Sequence, residues 1–388
     1  MRINIIGGGP AGLYFAILMK LQNPAHEIAL VERDGPHDTF GWGIVFSDQT
    51  FSYLEECDRP SFRNIIGNCE IWDNVDVVHK NRKVTIRGNR FSGIGRLKFL
   101  NILHERCREL GVDLRFHTSL TDLGPCRDCD LLVGADGASS LVRRAGQEFF
   151  QPSVDLRKNK YIWLGTHQLF HGLTLTFREN GAGYFIAHSY KFNPTTSTFI
   201  VECGEATWHN AGFGDKSEAG TCEYLQRVFA DDLGGHPLLA NNFVRWINFP
   251  LVRNRHWWHG NTVLLGDALH TAHFSIGSGT KLALEDSIAL AQCFAGSSEV
   301  STALREFERV RKPVVESLQE AAFSSLLMLE NIHEDWHLEP LPFAYRLMTR
   351  SGRITHDKLK KRDPDFIAAY DAWQHGHDSA TRNPQPAT

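Results

Sequence analysis

The sequence has few features that would place a protein in a membrane or against a polyanion. It contains no uninterrupted apolar run of about 18 residues, the length that a membrane-spanning helix needs. Its 41 basic and 45 acidic residues leave a net charge of −4. Met1 is followed at once by a strand-like segment, which leaves no room for a signal peptide. We therefore expect a cytoplasmic globular protein without membrane or nucleic-acid partners.

Metal-binding and disulfide patterns are also scarce. Eight cysteines are scattered over 388 residues, a distribution typical of free thiols in a reducing compartment. Cys126 and Cys129 form the only CxxC pair. Because no second pair stands at zinc spacing, we expect no metal site.

The first 35 residues contain the pattern of a βαβ unit. A short apolar strand ends at Ile6, a glycine turn follows, and an apolar helix from Leu13 to Leu21 leads to a second strand ending at Glu32. The turn reads G-x-G-x-x-G. Its first glycine permits the tight turn, its second lets the backbone approach a pyrophosphate, and its third lets helix and strand pack closely.

This unit predicts a dinucleotide site. The helix start offers unpaired N–H groups to phosphates, and an acid twenty residues after the last glycine is placed to accept ribose hydroxyls. The residues that we expect to bind the nucleotide here are Gly7, Gly9, Pro10, Ala11, Gly12, Glu32 and Arg33.

The rest of the chain changes character twice. Residues 160–203 are β-rich runs separated by turn residues, as in an antiparallel sheet. Helical patterns follow from Thr280 to Cys293, from Ser301 to Arg311 and from Pro313 to Leu329. The polar, proline-bearing tail from His375 onward predicts disorder.

Two further segments carry a family resemblance. The run DLLVGADGASSLVR at residues 130–143 and the run GDALHTAHFSIGSG at residues 266–279 resemble the DG and GD fingerprints of FAD-dependent aromatic hydroxylases of the p-hydroxybenzoate hydroxylase-like superfamily. The resemblance implies FAD-contacting roles for residues in both runs, in the loop that follows the first βαβ unit and at the start of the helix after residue 95. These residues are Gly43, Arg96, Asp136, Asp267, Gly277, Gly279 and Thr280.

The resemblance also implies the architecture, an α/β fold with a Rossmann-like FAD-binding domain of the glutathione reductase type, an interleaved antiparallel β-sheet substrate domain and a helical C-terminal region. The expected boundaries are 1–155 for FAD binding, with part of the substrate region near 45–95, then 156–255 for the substrate sheet, 256–330 for the GD segment and its helices, 331–374 for the C-terminal helices and 375–388 for a disordered tail. A monomer or a homodimer is expected.

The family chemistry implies tight, non-covalent FAD, with NADH or NADPH and O2 as co-substrates. Reduced flavin adds dioxygen to give a C4a-hydroperoxide, whose distal oxygen passes to an electron-rich aromatic ring. No second glycine fingerprint is present for a separate nicotinamide domain, and no W-x-W-x-I-P segment of a flavin halogenase is found.

Within the superfamily a narrower resemblance is carried by the runs NKYIWLGT at 159–166, FIAHSYK at 185–191, STFIVEC at 197–203, HFSIG at 273–277 and TRSGRIT at 349–355. In these runs the chain is similar to the branch that acts on aryl-CoA thioesters, such as salicylyl-CoA 5-hydroxylase and 2-aminobenzoyl-CoA monooxygenase, and more distantly to the violacein-pathway tryptophan hydroxylase. Seven bases against one acid between residues 346 and 362 form a basic patch suited to CoA phosphates. The patch residues expected to contact CoA are Arg346, Arg350, Arg353 and Lys358.

A nearby His or Tyr is expected to assist a ring hydroxyl. His273 lies inside the GD run, and His188 and Tyr190 share one face of a predicted strand, with Phe274 as an apolar wall. Two alternatives stay open at this point. One is hydroxylation of 2-aminobenzoyl-CoA or of a free acid such as tryptophan or salicylate, and the other is a flavoprotein that responds to redox state without oxygenating anything.

Overall fold

The predicted βαβ unit organises the first sheet. The computed structural model describes residues 1–241, 245–297 and 299–382. β1 (Arg2–Ile6) leads to helix α1 (Pro10–Gln22), and β2 (Glu27–Val31) pairs with β1 in parallel. The side chains of α1 are buried without interruption from Ala11 to Lys20. A helix that is buried on all sides is held by its neighbours rather than by one apolar stripe.

The remaining elements follow in chain order. The strands are β3 (Gly43–Ser47), β4 (Glu70–Trp72), β5 (Val75–His79), β6 (Arg82–Ile86), β7 (Phe91–Gly95), β8 (Asp113–Arg115), β9 (Leu131–Gly134), β10 (Pro152–Thr166), β11 (Leu173–Asn180), β12 (Gly183–Asn193), β13 (Thr196–Cys203), β14 (Leu238–Leu239), β15 (Ile247–Asn254), β16 (Trp258–His259) and β17 (Thr262–Leu264). The helices are α2 (Asp48–Cys57), α3 (Arg59–Ile66), α4 (Arg96–Glu109), α5 (Leu141–Ala145), α6 (Gln147–Phe150), α7 (Glu205–Asn210), α8 (Glu218–Val228), α9 (Ala230–Leu233), α10 (Gly279–Gly296), α11 (Val300–Glu330), α12 (Ile332–Asp335), α13 (Pro340–Thr349), α14 (His356–Arg362) and α15 (Pro364–Arg382).

The first sheet has the strand order β16-β17-β9-β1-β2-β8 and is parallel except for the β16–β17 pair. Helix α1 packs against α10 and α4. Because the chain crosses from β1 to β2 on one side and to β9 on the other, the carboxyl ends of β1 and β9 meet at one edge. Ligands of open α/β sheets bind at such an edge.

The second sheet has the order β14-β10-β13-β12-β11-β5-β6, with β15 added to β10. One face packs on α8 through a core that includes Phe199 and Leu225. Toward the β5 end the sheet packs on α13 through Phe343. A third sheet, in the order β3-β7-β4, lies between the two. The mixed α/β architecture predicted from the sequence is confirmed.

The helical C-terminal part differs from the expectation in two places. Helix α11 runs through Pro313 without a break, although proline lacks an N–H group and disfavours the helical conformation of the residue before it. Packed residues on both sides hold it, since Arg311 is buried against α10 and Val315 is buried in the core. Helix α15 continues to Arg382, into the tail expected to be disordered, and residues 383–388 lie outside the described residues.

The described residues contain neither a candidate membrane span nor a candidate metal site. No helix there is long and apolar enough to cross a membrane. No group of three His, Cys, Asp or Glu side chains is arranged to hold a metal ion in the same part of the chain. In the CxxC pair, the Cys129 thiol donates to the Cys126 carbonyl at 3.3 Å.

Candidate active site

The glycine turn after β1 depends on close backbone contacts. Gly7 has φ +109°, and a β-carbon there would stand 2.2 Å from the Ala135 carbonyl oxygen. A β-carbon at Gly12 would stand 2.3 Å from the Gly7 carbonyl oxygen. At Gly9 a β-carbon would meet nothing within 4 Å. The first and third glycines therefore serve packing, whereas the second borders open space at the start of α1.

Glu32 is fixed beside this turn. Its carboxylate accepts hydrogen bonds from the Gly8 N–H at 2.6 Å and from the Asp34 N–H at 3.0 Å. Each carboxylate oxygen keeps a lone pair for a further donor, so the position fits the predicted contact with ribose hydroxyls. Arg33 is exposed and pairs with Asp34 at 3.3 Å.

The DG segment is held by its own side chains. The Asp136 carboxylate accepts from the Ser140 hydroxyl and from the Leu141 N–H, each at 2.5 Å, and so caps the start of α5. The buried Arg143 donates to the Ala268 carbonyl at 2.8 Å. This bond ties the DG segment to the GD turn, and Asp136 serves the fold of the segment as well as any ligand beside it.

The GD turn packs directly on the first helix. A β-carbon at Gly266 would stand 2.8 Å from the Ala11 β-carbon. Asp267 is exposed to solvent, but surrounding protein restricts its hydration and raises its pKa, against the opposing charges of His270 and Arg96. Burial lowers the pKa of Arg96, and the charge of Asp267 limits the change. The opposite charges of Arg96 and Asp267 therefore each limit the pKa shift that burial imposes on the other.

The loop before β3 is held beside Arg96 and the second sheet. The Arg96 N–H donates to the Trp42 carbonyl at 2.8 Å. The buried Tyr190 hydroxyl donates to the Gly43 carbonyl at 2.8 Å, and a β-carbon at Gly43 would stand 2.7 Å from Phe192. Tyr190 was expected to act on substrate, but its hydroxyl is committed to the loop, and burial raises its pKa.

These turns fit FAD. Space is open where β-carbons at Gly9 and Gly279 would stand, at the starts of α1 and α10, so helix N–H groups there are accessible to an anionic or polarised ligand. The Nε atom of Arg96 and the Ser278 hydroxyl are buried without a protein partner among the described residues. Gly277, with φ +63°, and Thr280 flank the second of these openings.

An aromatic wall faces the GD turn. The ring of Phe274 lies 4.8 Å from that of Tyr161 and 5.3 Å from that of His188, measured between centroids. Phe249 packs at 5.0 Å from His273. Tyr161 and His188 stand on the same face of the second sheet, opposite the face that packs on α8. These rings contact one another where the sheet meets the turn, and an aromatic ligand would bind beside them.

His273 is buried inside the turn. Its Nδ1 atom lies 2.9 Å from the Ser275 hydroxyl and accepts from the Ser275 N–H at 3.4 Å. Burial lowers its pKa to about 4, which outweighs the opposing charge of Glu202. At neutral pH the His273 imidazole is therefore uncharged.

This lowered pKa predicts a pH dependence of stability. His273 takes up a proton more readily in the unfolded chain, where the imidazole has its ordinary pKa of 6.5. Its contribution to the free energy of unfolding is therefore fully present above pH 6.5 and is lost as the pH falls toward 4. Replacing His273 with Asn should reduce the loss between pH 6.5 and 4 by roughly 3 kcal/mol. Thermal unfolding of the two apoproteins across this pH range measures the difference. If stability falls equally with pH in both proteins, the prediction is wrong.

Arg350 is placed differently from the other expected CoA contacts. It points inward, where its Nη2 donates to the Ser275 carbonyl and its Nε to the Ser325 hydroxyl, both at 2.7 Å. Burial lowers its pKa to about 10, and the charge of Glu202 opposes this. Arg350 stays protonated at neutral pH, so the end of α13 carries a positive charge to the turn.

The other three bases of the patch remain at the surface. Arg346 pairs with Asp335 at 3.5 Å. Arg353 donates to the Ser317 hydroxyl at 2.9 Å, and the Lys358 ammonium donates to the Arg353 carbonyl at 2.9 Å. Arg353 and Lys358 thus form one exposed basic group beside α11.

Glu202 and Ser325 are two site residues that were not predicted from the sequence. Glu202 contacts His188, and Ser325 joins Arg350 to the Ser275 hydroxyl, which lies 2.8 Å away. A charged residue within the apolar run STFIVEC was a usable signal for Glu202, because a fully buried acid is rare unless it is paired. Ser325 gave no such signal.

Comparisons with known proteins agree on one family. A family profile described as an FAD binding domain matches residues 127–322. The chain is 38% identical to a salicyloyl-CoA 5-hydroxylase from Streptomyces sp over 98% of this chain and 75% of that protein. It is 36% identical to protodeoxyviolaceinate monooxygenase from Chromobacterium violaceum over 89% and 93% of the two chains.

A third relative and a solved structure extend the agreement. The chain is 36% identical to 3-hydroxy-4-methyl-anthranilyl-[aryl-carrier protein] 5-monooxygenase from Streptosporangium sibiricum over 92% of this chain and 95% of that protein. The crystal structure of 2-methyl-3-hydroxypyridine-5-carboxylic acid oxygenase superposes with a TM-score of 0.70 at 18% identity, covering 92% and 95% of the two chains. This last likeness supports the fold.

Proposed function

The chain belongs to the family of FAD-dependent aromatic monooxygenases, and from this premise we propose that it hydroxylates the ring of an aryl-CoA thioester, with salicyloyl-CoA as the substrate. The family uses FAD with NAD(P)H and O2 as co-substrates, and the predicted cofactor and enzyme class are confirmed. FAD, when bound, accepts a hydride and activates oxygen. The protein binds and orients the ring and excludes water.

The observation that carries the proposal is the charged aromatic recess at the GD turn. Phe274, Tyr161 and Phe249 offer apolar contact to a ring. The protonated Arg350 at the same turn offers hydrogen bonds to a polar substituent such as a carbonyl or a ring oxygen. A ring that carries a thioester and an ortho hydroxyl meets both kinds of contact.

The CoA part of the proposal is supported by the relative that acts on salicyloyl-CoA and by the surface group of Arg353 and Lys358. A basic surface group is suited to phosphates. Arg350 has no place in this contact, since its guanidinium is turned inward to Ser325 and to the GD turn. The aryl-carrier-protein relative acts on an aromatic ring attached to a macromolecule. The free-acid alternatives, salicylate and tryptophan, would bind in the same recess.

A mass-spectrometric assay tests the proposed substrate. Purified holoenzyme is incubated with NADH, oxygen and one of four candidates, namely salicyloyl-CoA, 2-aminobenzoyl-CoA, salicylate and tryptophan. We expect salicyloyl-CoA to gain one oxygen atom. Oxygen gain by tryptophan or salicylate alone would contradict the CoA proposal. Hydrogen peroxide formation with no oxygenated product from any candidate would favour a non-oxygenating flavoprotein.

The phosphate contact can be tested by removing two charges. Replacing Arg353 and Lys358 with Ala should raise KM for the CoA thioester about tenfold, because charge-assisted hydrogen bonds to phosphate contribute on the order of 1.5–3 kcal/mol. FAD content should stay unchanged. The matched control replaces Lys216, which precedes α8, and Arg227, which lies in α8. This double variant removes the same charge from the opposite face of the sheet. Equal KM values for the two double variants would contradict the assignment.

A further inference from the structure

One buried carboxylate stands on the substrate side of the second sheet. The side chain of Glu202 is 1% exposed. Its Oε1 accepts from the Asn159 amide at 2.8 Å, and its Oε2 lies 3.3 Å from the Nε2 atom of His188. Burial favours the neutral acid, but the hydrogen-bonding contacts with His188 and Asn159 outweigh it and lower the pKa of Glu202. The carboxylate is therefore ionised in the folded protein.

Strand register creates this pair. Ile186 on β12 stands directly opposite Glu202 on β13, so His188 is its diagonal neighbour on the same face. Diagonal neighbours on adjacent strands are within reach of long side chains. Tyr161 on β10 stands opposite Glu202 on the other side. The register places the carboxylate between two residues of the aromatic recess.

The contact with Glu202 sets the state of the His188 ring. An ionised carboxylate can only accept, so Nε2 donates to it, and Nδ1 of the neutral ring keeps its lone pair. No described residue hydrogen-bonds to Nδ1, and this atom is not fully buried. The ring meets Phe274 of the GD turn edge-on at 5.3 Å. His188 therefore presents a free acceptor on the side of the recess.

His273 lacks the features of a base. Its Nδ1 is occupied by Ser275, and no described carboxylate contacts it. With its pKa lowered to about 4 by burial, it does not retain a proton at neutral pH. It is suited to a hydrogen bond with substrate through Nε2, whereas His188 has a carboxylate, Glu202, against its Nε2 atom.

We propose that His188, held by Glu202, removes the proton of the substrate ring hydroxyl, and that the site thereby selects aromatic rings with an ionisable hydroxyl over rings with an amine. The proposal rests on the proposed function. The O–H bond breaks, an N–H bond forms at Nδ1, and the electron pair stays on the oxygen. The oxyanion enriches the ring carbon para to it, and the proton returns to the oxygen after the ring has been hydroxylated.

Titratable groups from each neighbouring element surround this step. Glu202 on β13 and His273 in the GD turn lie near His188, and Glu202 in turn interacts with Tyr161 on β10 and with Arg350 at the end of α13. Arg350 favours the oxyanion, and Glu202 favours the protonated imidazole. His188 is the catalytic residue in this scheme, whereas Glu202 and Asn159 position it.

Two substrates separate this role from a structural one. In the holoenzyme, Glu202→Gln and His188→Gln should lower the hydroxylation rate about 100-fold with salicyloyl-CoA. With 2-aminobenzoyl-CoA, whose amino group donates electrons without losing a proton, the rate should change less than about threefold. Salicyloyl-CoA bound to the oxidised wild-type enzyme at neutral pH should show the absorbance of a phenolate, and the variants should show that of the phenol.

The control is Glu205→Gln, which alters an exposed carboxylate 3.9 Å from His209 on α7, and it should behave as wild type. Equal losses on both substrates, or an unchanged phenolate band in the variants, would overturn the inference alone. Wild-type enzyme that hydroxylates only 2-aminobenzoyl-CoA would also overturn it. Wild-type enzyme that hydroxylates neither thioester would overturn the proposed function and this inference together. If wild-type enzyme hydroxylates only salicyloyl-CoA, the phenolate band tests the inference. Loss of the band in the variants supports it, and an unchanged band overturns it.

Discussion

Gly7→Ala is expected to give a destabilised protein that is purified without FAD. The new β-carbon would stand 2.2 Å from the Ala135 carbonyl oxygen, and alanine would have to adopt φ +109°. Backbone strain and overpacking of this kind cost on the order of 3 kcal/mol or more. The loss should appear as a lower Tm of the apoprotein and as missing flavin absorbance.

Gly9→Ala is the matched control, since it separates folding from ligand binding. Gly9 has φ −78° and ψ 177°, which alanine adopts freely, and its β-carbon would meet no protein atom within 4 Å. Apoprotein stability should change by less than about 0.5 kcal/mol, whereas FAD affinity should fall because the methyl group occupies the space beside the phosphates. A normal Tm for Gly7→Ala, or normal FAD content for Gly9→Ala, would refute the assigned roles.

Arg350→Ala is expected to lower kcat/KM about 100-fold while FAD remains bound. Two effects combine, since the recess loses its positive charge and the Ser275 carbonyl loses a charged donor. A charge-assisted hydrogen bond in such a setting contributes on the order of 1.5–3 kcal/mol, and about 2.7 kcal/mol corresponds to 100-fold. Steady-state kinetics with the aryl-CoA substrate, together with flavin content, measure the effect.

Two comparison variants sharpen this result. Arg350→Lys keeps the charge but loses the planar fork that reaches Ser275 and Ser325, and it should retain an intermediate kcat/KM. Arg309→Ala removes an exposed arginine paired with Glu306 and should leave the kinetics unchanged. A kcat/KM for Arg350→Ala within twofold of wild type would show that the buried charge has no part in the reaction.

The nucleotide-binding turns could be predicted from the sequence because their requirements are local. The demand for glycine at Gly7 and Gly12 follows from contacts within one βαβ unit and its adjacent strand. The DG and GD runs likewise place Asp136 and Asp267 within short, self-contained turns. Short-range patterns of this kind are readable without knowledge of the whole fold.

The substrate side could be predicted only in part, because it depends on contacts between distant segments. The sequence places His188 on a strand, but the register with β13 decides that Glu202 becomes its partner. The charge of Arg350 is evident, but its direction depends on how α13 packs against the sheet and α11. Tyr190 shared the predicted face with His188, yet a distant loop carbonyl takes its hydroxyl.

The hydrogen bond from Arg143 to the Ala268 carbonyl joins two segments that lie far apart in the chain. Each of the two runs looks like an independent module when read alone. The acceptor belongs to the main chain, so a chimera that takes only one of the runs from a relative would keep this bond only if both parents place the two turns in the same relative position. Recombination among these enzymes should therefore succeed when crossovers keep residues 130–143 and 266–279 from the same parent.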